Sequence, residues 1–357
     1  MIAGTAAALL AAVLFLPLEC GAISADKYYV LDVVSSRVLQ EKQSDERSLI
    51  ASTTKIMTAL IICEQCNVLD RMRIPKEAVG IEGSSMYLKE GEILTLQELL
   101  YGLMLSSGND AAVALAIYCG GTVEGFAERM NDKAHVLGMK DTHFVNPNGL
   151  DHPDHYSTAH DLGILAAYAM ENPIFQKTVS AKTVKIGDRI LRNHNKLLWQ
   201  LEGADGVKTG FTKAAGRILV SSAQREGRRL VAVTLNAPDD WRDHRKLLEE
   251  GFSRYSECTI VHRGDMVGTL DVAGGVCRKV EVLAAEDFSY ALAPEETAQL
   301  AIPGPGFVYA PAVKGADAGD CYVLINGNAI GRVKTIFGET VEQIPAEKKY
   351  FWQKLFS

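Results

Sequence analysis

The sequence lacks a basic surplus. Among its 357 residues, 44 are Asp or Glu and 37 are Lys or Arg, a net charge of -7. Phosphate binding needs clustered positive charge, so this balance argues against nucleic acid as the main partner. Internal repeats and low-complexity tracts are also missing, which removes solenoid and fibrous architectures from consideration. The apolar run AAALLAAVLFLPL, residues 6–18, is too short to span a bilayer comfortably. No Lys or Arg precedes it. No H-E-x-x-H or comparable spacing offers a metal-hydrolase signature.

What is present is an ordinary globular composition, 47% hydrophobic and 23% charged, in a chain long enough for two domains. Residues 6–18 have the length of a signal h-region, and ISAD offers a small-residue cleavage site after Ala25. The expectation is a signal peptide over residues 1–25, with a buried N-terminal helix as the alternative. Of seven cysteines, six lie beyond Cys20 and are free to pair in an oxidising compartment. Cys63 and Cys66 form a C-x-x-C at the end of an apolar helix, outside any thioredoxin-like context. They read as buried helix thiols.

KYYVLDVVSSRVLQEK, residues 27–42, reads as a hairpin turning at Ser35, Ser36 and Arg37. A helix starts near Ser52. Thr95 and Glu98 have capping-box spacing, as do Thr158 and Asp161. Val123, Phe126, Met130, Ala134 and Leu137 share one helical face that stops at Gly138. GRILVSSAQ and RRLVAVTLNA are strands around the turn Arg225-Glu226-Gly227-Arg228, and HRKLLEEGF is a last helix. Strands, helices, then strands again make an α+β domain over residues 26–256: a sheet with a helical insertion. From residue 257 the chain alternates apolar and polar residues between glycine turns, with a hairpin signal at Asn326-Gly327. Residues 257–340 read as a small all-β domain with no catalytic cluster.

Chemistry concentrates in three short stretches. In ASTTKIMTAL, Lys55 stands three residues after Ser52, on the same helical face. A serine hydroxyl needs a base beside it, and a lysine serves only when burial or a second cation lowers its pKa. Alone, S-x-x-K also fits a capping serine with a solvated lysine. SGN stands at Ser107, Gly108 and Asn109, where a loop should join two helices. KTG stands at Lys208, Thr209 and Gly210, just before the strand starting at Gly216. The three in this order form a serine-acyltransferase signature.

On these motifs, and on LGMKDTHFVNPNGL, YSTAHDLGILA and DGVKTGFTKAAGRILVSSA, residues 27–256 resemble the D-alanyl-D-alanine carboxypeptidases of the low-molecular-mass penicillin-binding proteins. The resemblance implies a β-lactamase/transpeptidase-like domain, an antiparallel sheet with a helical subdomain, followed by the small β domain. It implies an extracytoplasmic enzyme that needs no cofactor and acts on peptidoglycan stem peptides ending in D-Ala-D-Ala, with β-lactams as covalent inhibitors. Ser52 would be the acylated nucleophile, Lys55 its general base and Ser107 a proton relay. Asn109 would position substrate, and Lys208 with Thr209 would hold the terminal carboxylate. Gly210 would allow close approach, and the N–H groups of Ser52 and Phe211 would form the oxyanion hole.

Four rivals compete. His152, Asp154, His155 and His160 crowd one loop, as zinc ligands would. A non-catalytic wall-binding protein could keep the fold. A class A β-lactamase shares the Ser52, Lys55 and Lys208 logic, yet it needs a deacylating glutamate, and Glu124, Glu128 and Glu171 lack suitable neighbours. A peptidoglycan endopeptidase would use the same motifs. Finally, residues 341–357 end in AEKKYFWQKLFS, where Lys348, Lys349 and Lys354 alternate with aromatic and aliphatic residues. That pattern suits a membrane surface, with a tail packed on the β domain as the alternative.

Overall fold

The apolar run of β1 (Lys27–Asp32) turns through Ser36, at a φ of 54°, into β2 (Arg37–Lys42). The computed structural model describes residues 22–304 and 306–345. A 3₁₀ turn, Ala51–Thr54, leads directly into α1 (Lys55–Gln65). The short pair β3 (Arg71–Arg73) and β4 (Ile93–Thr95) precedes α2 (Leu96–Leu105), α3 (Asn109–Gly120) and α4 (Val123–Val136). Then come α5 (Ala159–Met170), α6 (Pro173–Ser180), the hairpin β5 (Thr183–Ile186) and β6 (Arg189–Arg192), and α7 (Leu197–Gln200). Long strands follow: β7 (Ala204–Thr212), β8 (Gly216–Arg225) and β9 (Arg228–Leu235), then α8 (Asp240–Arg254). The main sheet has the order β2-β1-β9-β8-β7.

Local chemistry explains the helix ends. Thr95 Oγ1 accepts from the Glu98 N–H while Glu98 returns a carboxylate to the Thr95 N–H, so both orphan donors are satisfied. Thr158 caps α5 through the Asp161 N–H, but the Asp161 carboxylate turns elsewhere, accepting from the Asp141 N–H and the Thr142 hydroxyl. The α4 face expected from the sequence buries Phe126, Met130 and Ala134, and Gly138 ends that helix at positive φ. α1 is buried almost all round, from Lys55 through Cys63, which places it at the centre of the helical layer. KTG lies within strand β7, an unexpected strand, and the strand expected from Gly216 follows it as β8.

Two compact units result. One comprises the described residues through 30, 40–223 and 231–249; the other comprises 31–39, 224–230 and the described residues from 250. The second unit carries β10 (Ser256–Val261), β11 (Met266–Ala273), β12 (Lys279–Ala284), β13 (Phe288–Leu292), β14 (Ala298–Ala301), β15 (Phe307–Tyr309), β16 (Asp317–Ile325) and β17 (Asn328–Phe337). Six of these form one sheet, β14-β16-β17-β12-β11-β15, and β10 pairs with β13. Asn326 and Gly327 make the β16–β17 turn, both at positive φ, as a two-residue hairpin requires. Leu270, Val272, Val280, Val282 and Phe337 pack as one of its cores. Residues 1–21 and 346–357, which hold the expected signal run and the basic aromatic tail, lie outside the described residues.

Candidate active site

The 3₁₀ turn before α1 presents Ser52. Ala51 takes a positive φ of 44°, and two threonines pin the turn: Thr53 Oγ1 donates to Ile50 O and Thr54 Oγ1 to Ala51 O. Gly149 and Gly210 fit against it. A Cβ on Gly149 would stand 1.9 Å from Ala51 O, and one on Gly210 would stand 3.3 Å from Ile50 O. Gly149 therefore requires glycine, while a side chain at Gly210 would press tightly on the turn.

One residue on, Lys55 is fully buried at 0% exposure. Its Nζ lies 2.8 Å from Ser52 Oγ, 2.7 Å from Asn109 Oδ1 and 2.6 Å from the Asn148 carbonyl. Burial, helped by the Lys208 charge and opposed by Asp110, pushes its pKa well below the usual lysine value. Asn109 is held in one orientation, because its amide nitrogen donates to Glu82 O at 2.6 Å. It opens α3 two residues after Ser107, which takes a positive φ of 58°.

Asp110 fixes the loop opposite. Its carboxylate accepts from Ser85 Oγ and from the N–H groups of Met86 and Leu88. That loop supplies Ser84 to a cavity of about 330 Å³, which Ser52, Ser107, Thr209, Gly210 and Phe211 also line. Lys208 sits behind this wall, 1% exposed, with Nζ donating to Thr209 O at 2.8 Å. Burial brings its pKa down to about 7. Phe211 lines the cavity and is exposed.

Several cavity residues were not singled out from the sequence. Arg217, on β8, makes a two-pronged ion pair with Asp240, at 2.7 and 2.9 Å, and both line the cavity with Trp241. His194 and Lys196 line it too, and they also line an adjoining cavity of about 820 Å³ with Arg192 and Trp199. Burial and the Lys208 charge lower the His194 pKa. These residues belong to no contiguous motif. Only Arg217 stands close to KTG in sequence, on β8 opposite Phe211.

The histidine-rich loop has a different use. His155 is buried at 1% exposure; its Nδ1 accepts from the Val145 N–H, and its Nε2 meets Thr54 Oγ1 at 2.7 Å. It therefore braces the turn that presents Ser52. Burial drops its pKa to about 4. His160 pairs with Asp45, and His152 and Asp154 are exposed. Among the described residues no three His, Cys, Asp or Glu side chains gather to hold a metal.

A family model for D-alanyl-D-alanine carboxypeptidases matches residues 16–239. The chain belongs to this family. A second model, the C-terminal domain of penicillin-binding protein 5, matches residues 255–343. The D-alanyl-D-alanine carboxypeptidase DacF of Bacillus subtilis is 34% identical over 71% of this chain and 69% of its own length. DacC of Escherichia coli is 31% identical over 91% of this chain and 86% of its own. Penicillin-binding protein 5 from Haemophilus influenzae superposes with a TM-score of 0.77 at 28% identity, covering 91% of this chain and all of that one. The enzyme is a serine peptidase with a transpeptidase-like domain and a small β domain.

Proposed function

We infer that the enzyme removes the terminal D-Ala from peptidoglycan stem peptides through an acyl-enzyme on Ser52, and that β-lactams acylate the same serine. The observation that carries this reading is the set of three contacts to Lys55 Nζ. A neutral amine has two N–H donors and one lone pair. Asn109 Oδ1 and Asn148 O accept the two donors, and the lone pair then faces the Ser52 hydroxyl. Lys55 is thus oriented to take the Ser52 proton as Oγ attacks the penultimate D-Ala carbonyl. Backbone N–H groups of Ser52 and Phe211 would receive the oxyanion, each worth on the order of 10²–10³ in rate. Ser107 and Lys55 would return a proton to the departing D-Ala, and water would then hydrolyse the ester. Lys208 keeps the local potential positive from behind the wall. Thr209 supplies the polar surface for the terminal carboxylate.

Mass spectrometry after penicillin treatment tests the reading. A penicilloyl adduct on the Ser52 peptide that lasts minutes or longer, with D-Ala released from a D-Ala-D-Ala peptide by the same preparation, is the expected result. Rapid multiple turnover of penicillin without D-Ala release would make the enzyme a β-lactamase. Glu124 and Glu128 on α4 and Glu171 at the end of α5 are all exposed, which supports slow deacylation.

An extracytoplasmic location completes the proposal, with residues 1–25 as the expected leader. Ser24 and Ala25 make three donors to Asp243: the two N–H groups and the Ser24 hydroxyl. Asp243 is 1% exposed. A cut after Ala25 would strip those donors from a buried carboxylate, so processing upstream of Ser24 fits better. The basic aromatic tail would add weak, reversible membrane attachment. Removing residues 348–357 should lower retention on anionic vesicles while soluble-peptide turnover stays unchanged. Equal retention of both forms would discard the anchor.

A further inference from the structure

Helices α1 and α3 both start at the active site. Lys55 opens one and Asn109 opens the other, and their side chains are bonded at 2.7 Å. At a rise of 1.5 Å per residue, the helices carry their far ends about 15 Å away. Cys66 caps the end of α1, and Cys119 stands in the last turn of α3.

Those ends meet. The Cys119 thiol donates to Gln65 Oε1 at 3.9 Å, while Arg129 from α4 reaches Gln65 Oε1 at 3.1 Å and Cys119 Sγ at 3.7 Å. The Cys66 and Cys119 thiols are near enough for Cys119 to raise the Cys66 pKa, and both are free thiols. Cys66 has left the helix, with an extended φ of −122° and ψ of 149°. Cys63 stays inside the helix, buried. The C-x-x-C spacing in the sequence is therefore misleading: the spatial partner of Cys66 lies on another helix.

We propose that Cys66 and Cys119 form a disulfide in the exported protein. The reaction is thiol–disulfide exchange with an extracytoplasmic protein disulfide. Cys66 and Cys119 lose two electrons and two protons, one S–S bond forms between them through a mixed disulfide, and the donor's S–S bond is reduced to two thiols. The link clasps the far ends of the two helices whose near ends hold Lys55 and Asn109, and it closes a loop of roughly fifty residues. Burial pushes the Cys66 thiol up to about 12, so it carries little thiolate at neutral pH. Such a thiol reacts slowly with small oxidants, and its disulfide resists reduction because no stabilised thiolate rewards opening. These properties suit a structural bond. The remaining described cysteines of the second unit, Cys258 and Cys277, are exposed, and Cys321 is buried.

The proposal takes the site of oxidation from the location inferred above, so the test is independent of export. Purified full-length chain is equilibrated in a glutathione buffer poised near about −200 mV. It is then alkylated in denaturant, digested without reduction and mapped by mass spectrometry. The expected product joins the Cys66 and Cys119 peptides, persists in Cys63→Ser and disappears in Cys119→Ser. Reduction should lower the Tm by roughly 5–10 °C in the native sequence and leave that of Cys119→Ser unmoved. Alkylation of both Cys66 and Cys119, or a Cys63–Cys66 link, overturns the proposal. Cell fractionation reads the location separately.

Discussion

An unperturbed lysine holds its proton at neutral pH and cannot act as a base. Lys55 escapes that condition through burial first and the Lys208 charge second. The two lysines come from different elements, α1 and β7, more than a hundred residues apart in sequence. Lys208 itself is lowered to about 7, so its charge diminishes as pH rises through neutrality. Lys208→Met should therefore raise the Lys55 pKa. The expected outcome is an acid limb of the acylation rate shifted to higher pH, with a loss of about tenfold or more at pH 7. A pH series of acylation rates with a chromogenic cephalosporin checks it. A uniformly lower rate with an unmoved limb would mean that Lys208 acts only as a contact. The motif residues that the sequence marks, Ser52, Lys55, Ser107 and Asn109, are close neighbours in space. Arg217, Asp240, His194 and Asn148 were illegible because their relation to the site is purely tertiary.

Elements were legible where local chemistry alone decides them. The Thr95–Glu98 box, the Gly138 stop, the Glu226-Gly227 turn and the Asn326-Gly327 turn all involve partners within a few residues. Strand β7 was missed because Gly206 and Gly210 interrupt its apolar alternation. Those glycines answer to distant neighbours: Gly206 faces Val179 and Met170, and Gly210 faces the Ser52 turn. The loop Asn146–Leu150 was equally opaque. Asn146 and Asn148 knit it through their side chains, and its backbone carries the Asn148 carbonyl to Lys55. Gly149→Ala tests how far that loop controls the site. The added Cβ would collide with Ala51 O and would sit at a φ of 85°. We expect acylation to fall at least about a hundredfold together with a lower Tm, since even 1 Å of misplacement is costly in a catalytic turn. A variant with native acylation and native Tm would show that the turn tolerates displacement.

Across the whole molecule, the buried titrating groups set how stability depends on pH. His155 is lowered to about 4 and His244 to about 3, each by burial. His244 is held neutral between Ser221 Oγ and Thr234 Oγ1. Between those values and 6.5 the unfolded chain binds protons that the folded chain refuses, so stability is lost as pH falls through that window. Lys208 extends the same sign upward: from about 7 to 10.5 the unfolded lysine is protonated and the folded one is not, so its contribution grows with pH. Cys63 and Tyr29, both raised to about 12, have the opposite sign above their ordinary values of 9 and 10. Stability should therefore peak on the alkaline side of neutrality, with a steep acid limb below pH 6.5. Urea midpoints measured from pH 4 to 10 test the curve, and His244→Gln should flatten its acid limb because the substituted side chain cannot take up a proton. An acid limb as steep in that variant as in the native sequence would remove His244 from the account and leave the decline to His155 and the paired carboxylates.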